Sequence, residues 1–106
     1  MKLYKLGDMK RGWFVGYFTP AVIHTKTCEV ALKKYRAGER ESLHYHKIAT
    51  EMTLVVSGRI YMCSQEFNEG DIIVVEPGEK TDFISITDSI NVVVKIPSAF
   101  DDKYFI

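Results

Sequence analysis

The sequence predicts an all-β fold, a sandwich or barrel of antiparallel strands closed over one core. Three observations carry this. Apolar and polar residues alternate over short runs, as in Cys28 to Arg36 and Ser89 to Ile96, which is the period of a strand with one buried face. Glycine or proline punctuates the chain between those runs, at Gly38, Gly58, Gly70 and Pro77-Gly78. No segment sustains a helical period.

The elements follow in order. MKLYKL alternates around Leu3 and is expected as a short first strand, and GDMKRG is a turn. WFVGYF is a dense aromatic block that Pro20 ends, since proline cannot donate to a ladder. In Cys28 to Arg36 the row Cys28, Val30, Leu32 is expected to face the core, with Lys34 and Arg36 continuing it toward the mouth of a cavity. Gly38 to Gly58 reads as a hairpin, its turn over Lys47 to Thr50 and its return strand over EMTLVVS. RIYMC is a short strand, NEGD a turn, and DIIVVEP a strand stopped by Pro77-Gly78. DFISIT and SINVVVKIP complete the sheets, with Ile90, Val92, Val94 and Ile96 expected on the core face. The tail SAFDDKYFI ends in Tyr104, Phe105 and Ile106, too apolar to stay in water, and is expected to dock on the barrel or on a second subunit.

Length and charge narrow the functions. A chain of 106 residues makes one domain over 1–106 with a single modest core. Fourteen basic side chains balance fourteen acidic ones, so no basic field attracts nucleic acid. No apolar run approaches bilayer length, and Met1 to Leu6 lacks a signal-peptide core, so a cytoplasmic protein with no membrane partner is expected. Two cysteines without a CxxC spacing suggest idle thiols.

The chemistry concentrates in GERESLHYHKIATEMTLVVSG, residues 38–58. Residues two apart on a strand share a face, so His44 and His46 aim two imidazoles at one spot and Tyr45 turns away. Glu51, at the start of the return strand, brings a carboxylate beside them. Two imidazoles and a carboxylate make a three-point metal site with open positions. The whole spacing is Gly, five residues, His, one, His, four, Glu, six, Gly. A chance match at a given start is on the order of 10⁻⁷.

That pattern resembles the first signature of the cupin superfamily. The resemblance implies a jelly-roll barrel holding a divalent transition metal (zinc, iron, manganese or nickel) through His44, His46 and Glu51. The second cupin signature is matched by Gly70-Asp71, the strand Ile72 to Val75 and Pro77-Gly78. Its histidine, the fourth metal ligand elsewhere in the family, falls here on Thr81, and no histidine follows residue 46. Phe83 and Ser85 keep the inward register, which places Asp82 on the other face. From Trp13-Phe14 through HYHKIATE to VVVKIPS, the chain is also similar to small cupins associated with sugar-nucleotidyltransferases.

Three functions follow as expectations. The first is a metal-binding barrel for a small, sugar-derived ligand, with Arg36 and Thr81 as candidate ligand contacts. The second is a metal-free sugar-nucleotide isomerase or epimerase in which His44 or His46 moves a proton. The third is a non-catalytic module that senses a ligand. The Trp13 to Phe18 block, the Tyr104 to Ile106 tail and Ile84 and Ile86 give excess apolar surface, so a homodimer is expected.

Overall fold

The computed structural model of the chain describes residues 1–99 and 101–106. Phe100, part of the tail expected to dock, lies outside the described residues. Among the described residues eleven strands are present: β1 (Trp13–Gly16), β2 (Ile23–His24), β3 (Glu29–Tyr35), β4 (Arg40–Tyr45), β5 (Thr50–Ser57), β6 (Ile60–Met62), β7 (Gln65–Phe67), β8 (Ile72–Val75), β9 (Thr81–Ser85), β10 (Ser89–Ile96) and β11 (Tyr104–Phe105). They form a six-stranded sheet, β2-β1-β3-β10-β5-β8, and a five-stranded sheet, β11-β4-β9-β6-β7. All pairings are antiparallel except β1 with β2. The all-β fold expected from alternation, with the jelly roll that the resemblance implies, is therefore observed.

The local signals explain the corners. At Gly58 the backbone takes φ +84°, and an added Cβ would lie 2.2 Å from the Asp88 carbonyl oxygen, so only glycine fits between β5 and β6. Cys63 and Ser64 both take positive φ and join β6 to β7 as a two-residue hairpin. Neither is a usual residue for such a turn, which is why β7 carries no sequence signal. Pro77-Gly78 ends β8, and the Gly78 N–H donates to the His46 carbonyl at 2.7 Å, tying the second motif to the first.

Three expectations are corrected. Met1 to Leu6 forms no strand; it is exposed and leads into a single 3-10 turn, Leu6–Asp8, because no neighbouring strand pairs with it. In β3 the inward row is Glu29, Ala31, Lys33 and Tyr35, the alternate of the Cys28, Val30, Leu32 row. In β10 the buried row is Ser89, Asn91, Val93 and Lys95, while Ile90, Val92, Val94 and Ile96 face outward. The periods were right and the faces inverted, because the space between the sheets is only partly apolar.

That space has two ends. At one, Val55, Ile60, Met62, Ile73, Val75 and Phe83 pack together with Tyr35 and Phe67 against them. Each such side chain, once buried, contributes roughly 1.5–3 kcal/mol. The other end is a cavity of about 240 Å³ lined by both sheets, and its walls carry charge.

Candidate metal and ligand site

The hairpin places the imidazoles as the spacing requires. His44 is the penultimate residue of β4 and His46 follows the strand directly; both are buried. Tyr45 points the other way and stacks on Tyr104 of the tail, ring centroids 5.5 Å apart. The Lys47 ammonium lies 4.1 Å from the centroid of that Tyr104 ring. The β4–β9 ladder shifts register between Glu41 and His44, an irregularity of the kind that re-aims a side chain beside a site.

Both rings are held through Nδ1. His44 Nδ1 lies 2.7 Å from the Ser42 carbonyl oxygen, and His46 Nδ1 bonds the Asp102 carbonyl oxygen. A carbonyl only accepts, so each Nδ1 carries a proton, which leaves Nε2 as the nitrogen able to present a lone pair. A backbone carbonyl behind the far nitrogen is the usual support of a metal-ligating histidine. His46 Nε2 is buried without a hydrogen-bond partner among the described residues, and Glu51 Oε2 lies 3.7 Å from it.

The electrostatics follow from that contact. The facing Glu51 carboxylate raises the His46 pKa above the usual imidazole value; burial opposes this, and the bond to the Asp102 carbonyl adds to it. Burial pushes Glu51 up, but His46, Lys95 and His44 together outweigh it and hold the carboxyl below its ordinary value. The Tyr35 phenol is pushed far up by burial and by the Glu41, Glu51 and Glu39 carboxylates, so it stays protonated.

Asp102 organises the turn between the histidines and Glu51. Its carboxylate accepts from the backbone N–H groups of Lys47, Ile48 and Ala49 at 2.9, 3.0 and 2.9 Å. Burial would raise its pKa, but these three donors hold it below the carboxylate range. Short β11 pairs with β4 opposite His44 and Tyr45 and lays the tail along the site. The docked tail is thus confirmed for Asp102 and Tyr104, while Phe105 and Ile106 remain exposed.

Thr81 is buried on β9 directly across from His44, as the motif register predicts. Its hydroxyl donates to the Asp82 carbonyl at 2.9 Å and accepts from the Cys63 thiol at 3.2 Å. Phe83 and Ser85 share its inward face. Arg36 is not brought to the site: it is exposed in the β3–β4 turn and absent from the cavity wall. His24 is exposed on β2, its ring 4.7 Å from that of Tyr17.

Among the described residues, no three His, Cys, Asp or Glu side chains converge closely enough to hold an ion as they stand. The chemistry of the donors nevertheless fits one: two imidazoles anchored through Nδ1, with the His46 Nε2 buried and orphaned, beside a carboxylate held below its ordinary pKa. Sequence reasoning missed Trp13, Lys33, Asn91 and Lys95 on the cavity wall. Alternation in β3 and β10 carries that signal without showing which row faces inward.

No protein-family model and no curated protein sequence matches the chain. Solved structures do match. A double-stranded β-helix protein from Klebsiella pneumoniae superposes with TM-score 0.68 over 92% of this chain and 85% of its own, at 18% identity. A cupin-superfamily sugar phosphate isomerase from Silicibacter pomeroyi gives TM-score 0.61 at 23% identity, over 66% of this chain and 50% of its own. Oxalate decarboxylase from Bacillus subtilis, described with Mn(II) centres, gives TM-score 0.65 at 15% identity, over 77% of this chain and 25% of its own. The fold and the paired sheets define the class: the chain has the cupin fold, a double-stranded β-helix. Among the described residues no helix is long and apolar enough to cross a membrane.

Proposed function

We propose that the chain is a metal-binding cupin barrel that takes a small polar ligand in the cavity between its sheets. The observation that carries this is the pair of Nδ1-anchored imidazoles with the orphaned, buried His46 Nε2 facing Glu51. His44 and His46, through Nε2, and Glu51 would hold the ion. A divalent ion bound there would act as a Lewis acid toward a ligand oxygen. The chain's own part is to fix the imidazole tautomers, keep Glu51 ionised and present a walled space. At about 240 Å³, with liquid water occupying roughly 30 Å³ per molecule, that space suits a ligand the size of one sugar or small acid. A nucleotide sugar would leave its nucleotide outside.

One observation favours a metal-free reading. His46 and Glu51 already face one another at 3.7 Å with opposed pKa shifts, as a proton-transfer pair would. The two readings part on one experiment. Protein purified without chelator is titrated with zinc, manganese and nickel against a chromogenic chelator, beside His44→Ala and His46→Ala. The metal reading expects binding in the unsubstituted protein that each variant loses. Equal affinities in all three proteins would defeat it.

A further inference from the structure

The inward rows of the six-stranded sheet place cations in the cavity that the metal site does not use. Lys95 lies opposite Glu29 on β3 and Glu51 on β5, yet it makes no ion pair or hydrogen bond among the described residues. It is only 9% exposed. The neighbouring carboxylates are engaged elsewhere. Glu29 accepts from the Ser98 hydroxyl and the Ala99 N–H, Glu41 lies 3.7 Å from Lys103, and Glu51 faces His46. Lys33 gives one bond to the Arg11 carbonyl at 2.8 Å and keeps its other N–H groups free.

Both ammonium groups address one ring. Lys33 Nζ is 5.8 Å and Lys95 Nζ 5.9 Å from the centroid of Trp13, which pairs across the strands with the small Ala31. Asn91, 1% exposed, sits beside Lys33 in the ladder with its Oδ1 buried and unpartnered. A buried amide oxygen without a partner is costly and is relieved by a ligand that supplies a donor, while the Lys95 ammonium, with no direct partner among the described residues, keeps its N–H groups free for an anion. The wall carries four cationic side chains, Arg11, Lys33, Lys95 and Lys103, against the four carboxylates Glu29, Glu41, Glu51 and Asp82. A divalent ion would tip that balance positive.

We infer that Lys95 and Lys33, over the Trp13 face and beside Asn91, form an oxyanion subsite, so that the cavity selects small molecules bearing a carboxylate or phosphate group. This rests on the cavity being the ligand site proposed above. Asn91 would bond a neighbouring hydroxyl or amide of the same ligand.

Trp13 is the sole tryptophan, so its fluorescence reports the subsite directly. The full chain, zinc-loaded in one series and chelator-treated in another, is titrated with succinate, inorganic phosphate and the neutral succinamide. A saturable change with succinate alone supports the inference with carboxylate as the group; one with phosphate supports it with phosphate. Lys95→Met should weaken whichever anion binds by about tenfold or more, the worth of a charge-assisted hydrogen bond, and Lys95→Arg should restore most of it. Lys33→Met should act in the same direction if the residue-95 variants fail to fold. Succinamide binding as tightly as succinate, no response to either anion, or unchanged affinity in the lysine variants would overturn the inference. If zinc never binds but the lysine-dependent anion response persists after chelation, the metal reading falls and the subsite stands. If zinc binds while acid and amide are equivalent, the subsite falls and the metal reading stands.

Discussion

The two faces of the six-stranded sheet differ in the opposite sense to an ordinary sandwich. On the outer face the register aligns Val30, Val94, Met52 and Val74 in one row and Leu32, Val92, Leu54 and Ile72 in the next. On the inner face the matching rows read Glu29, Lys95, Glu51, Val75 and Ala31, Val93, Thr53, Ile73. Charge lines the cavity end of the inside, and hydrocarbon covers the outside. Such an arrangement is worth its cost only if the inside binds something polar and the outside meets something apolar. The tail belongs to the inner side, because Asp102 braces the His46 imidazole through its carbonyl and the following turn through its carboxylate.

The largest expected effect breaks that brace. Asp102→Ala leaves three N–H donors without their acceptor, of which Ala49 is fully buried while Lys47 and Ile48 can turn to water. The loss should be about 3 kcal/mol, less than the sum of three charge-assisted bonds, and should lower Tm by roughly 15 °C. Thermal unfolding by circular dichroism checks it, and a shift of a degree or two would mean that the tail does not hold the turn.

We propose that the outer face is covered by a second copy of the chain. Ile72 and Val74 on edge strand β8 are 66% and 49% exposed. Trp13 and Tyr104, counted in the sequence toward a dimer surface, are instead used within the chain. Sedimentation should give a dimer for the unsubstituted protein and a monomer for Ile72→Lys combined with Val74→Lys. Metal and anion binding should be unchanged in that variant, since both residues point away from the cavity.

A smaller effect sharpens the inner face. Thr81 lies across from His44, so Thr81→His should add a donor and tighten metal binding by about tenfold, within the range by which groups around a site tune affinity. Asp82 also borders the cavity, against the expectation of the other face, but it alternates away from Thr81 along β9, so Asp82→His should change affinity less. If the residue-82 variant tightens instead, Asp82 is the better-placed position.

The smallest effect is in the pH dependence. The raised His46 pKa contributes stability to the metal-free chain below the unfolded value near 6.5, and this is lost as pH rises through the folded value. The depressed Glu51 pKa contributes above its unfolded value, and this is lost as pH falls through the folded one. The pair therefore favours the metal-free fold at weakly acid pH. A metal must displace the His46 proton, so the rise in Tm on adding zinc should grow from about pH 5 to 8. A constant increment would remove His46 from the ligand set.

Most of the strands and the site hairpin were legible because each rests on local chemistry: alternation, glycine at positive φ, and a fixed His-x-His spacing. The inward place of Thr81 followed from the same alternation. Which row faced inward was not legible, since Ser89, Asn91, Val93 and Lys95 have the same period as Ile90, Val92, Val94 and Ile96. Only the pairing of β10 between β3 and β5, far apart in sequence, shows that the polar row closes on a cavity. Asp102 carried no signal, because a carboxylate in a polar stretch of tail does not reveal that three amides 53 to 55 residues earlier need it.

The metal content of the chain purified without chelator, measured by elemental analysis beside His46→Ala, tests the central claim most directly. The unsubstituted protein should carry close to one equivalent of a divalent transition metal per chain after loading and desalting, and His46→Ala should carry almost none. Equal content in the two proteins, or none above background in either, would contradict it.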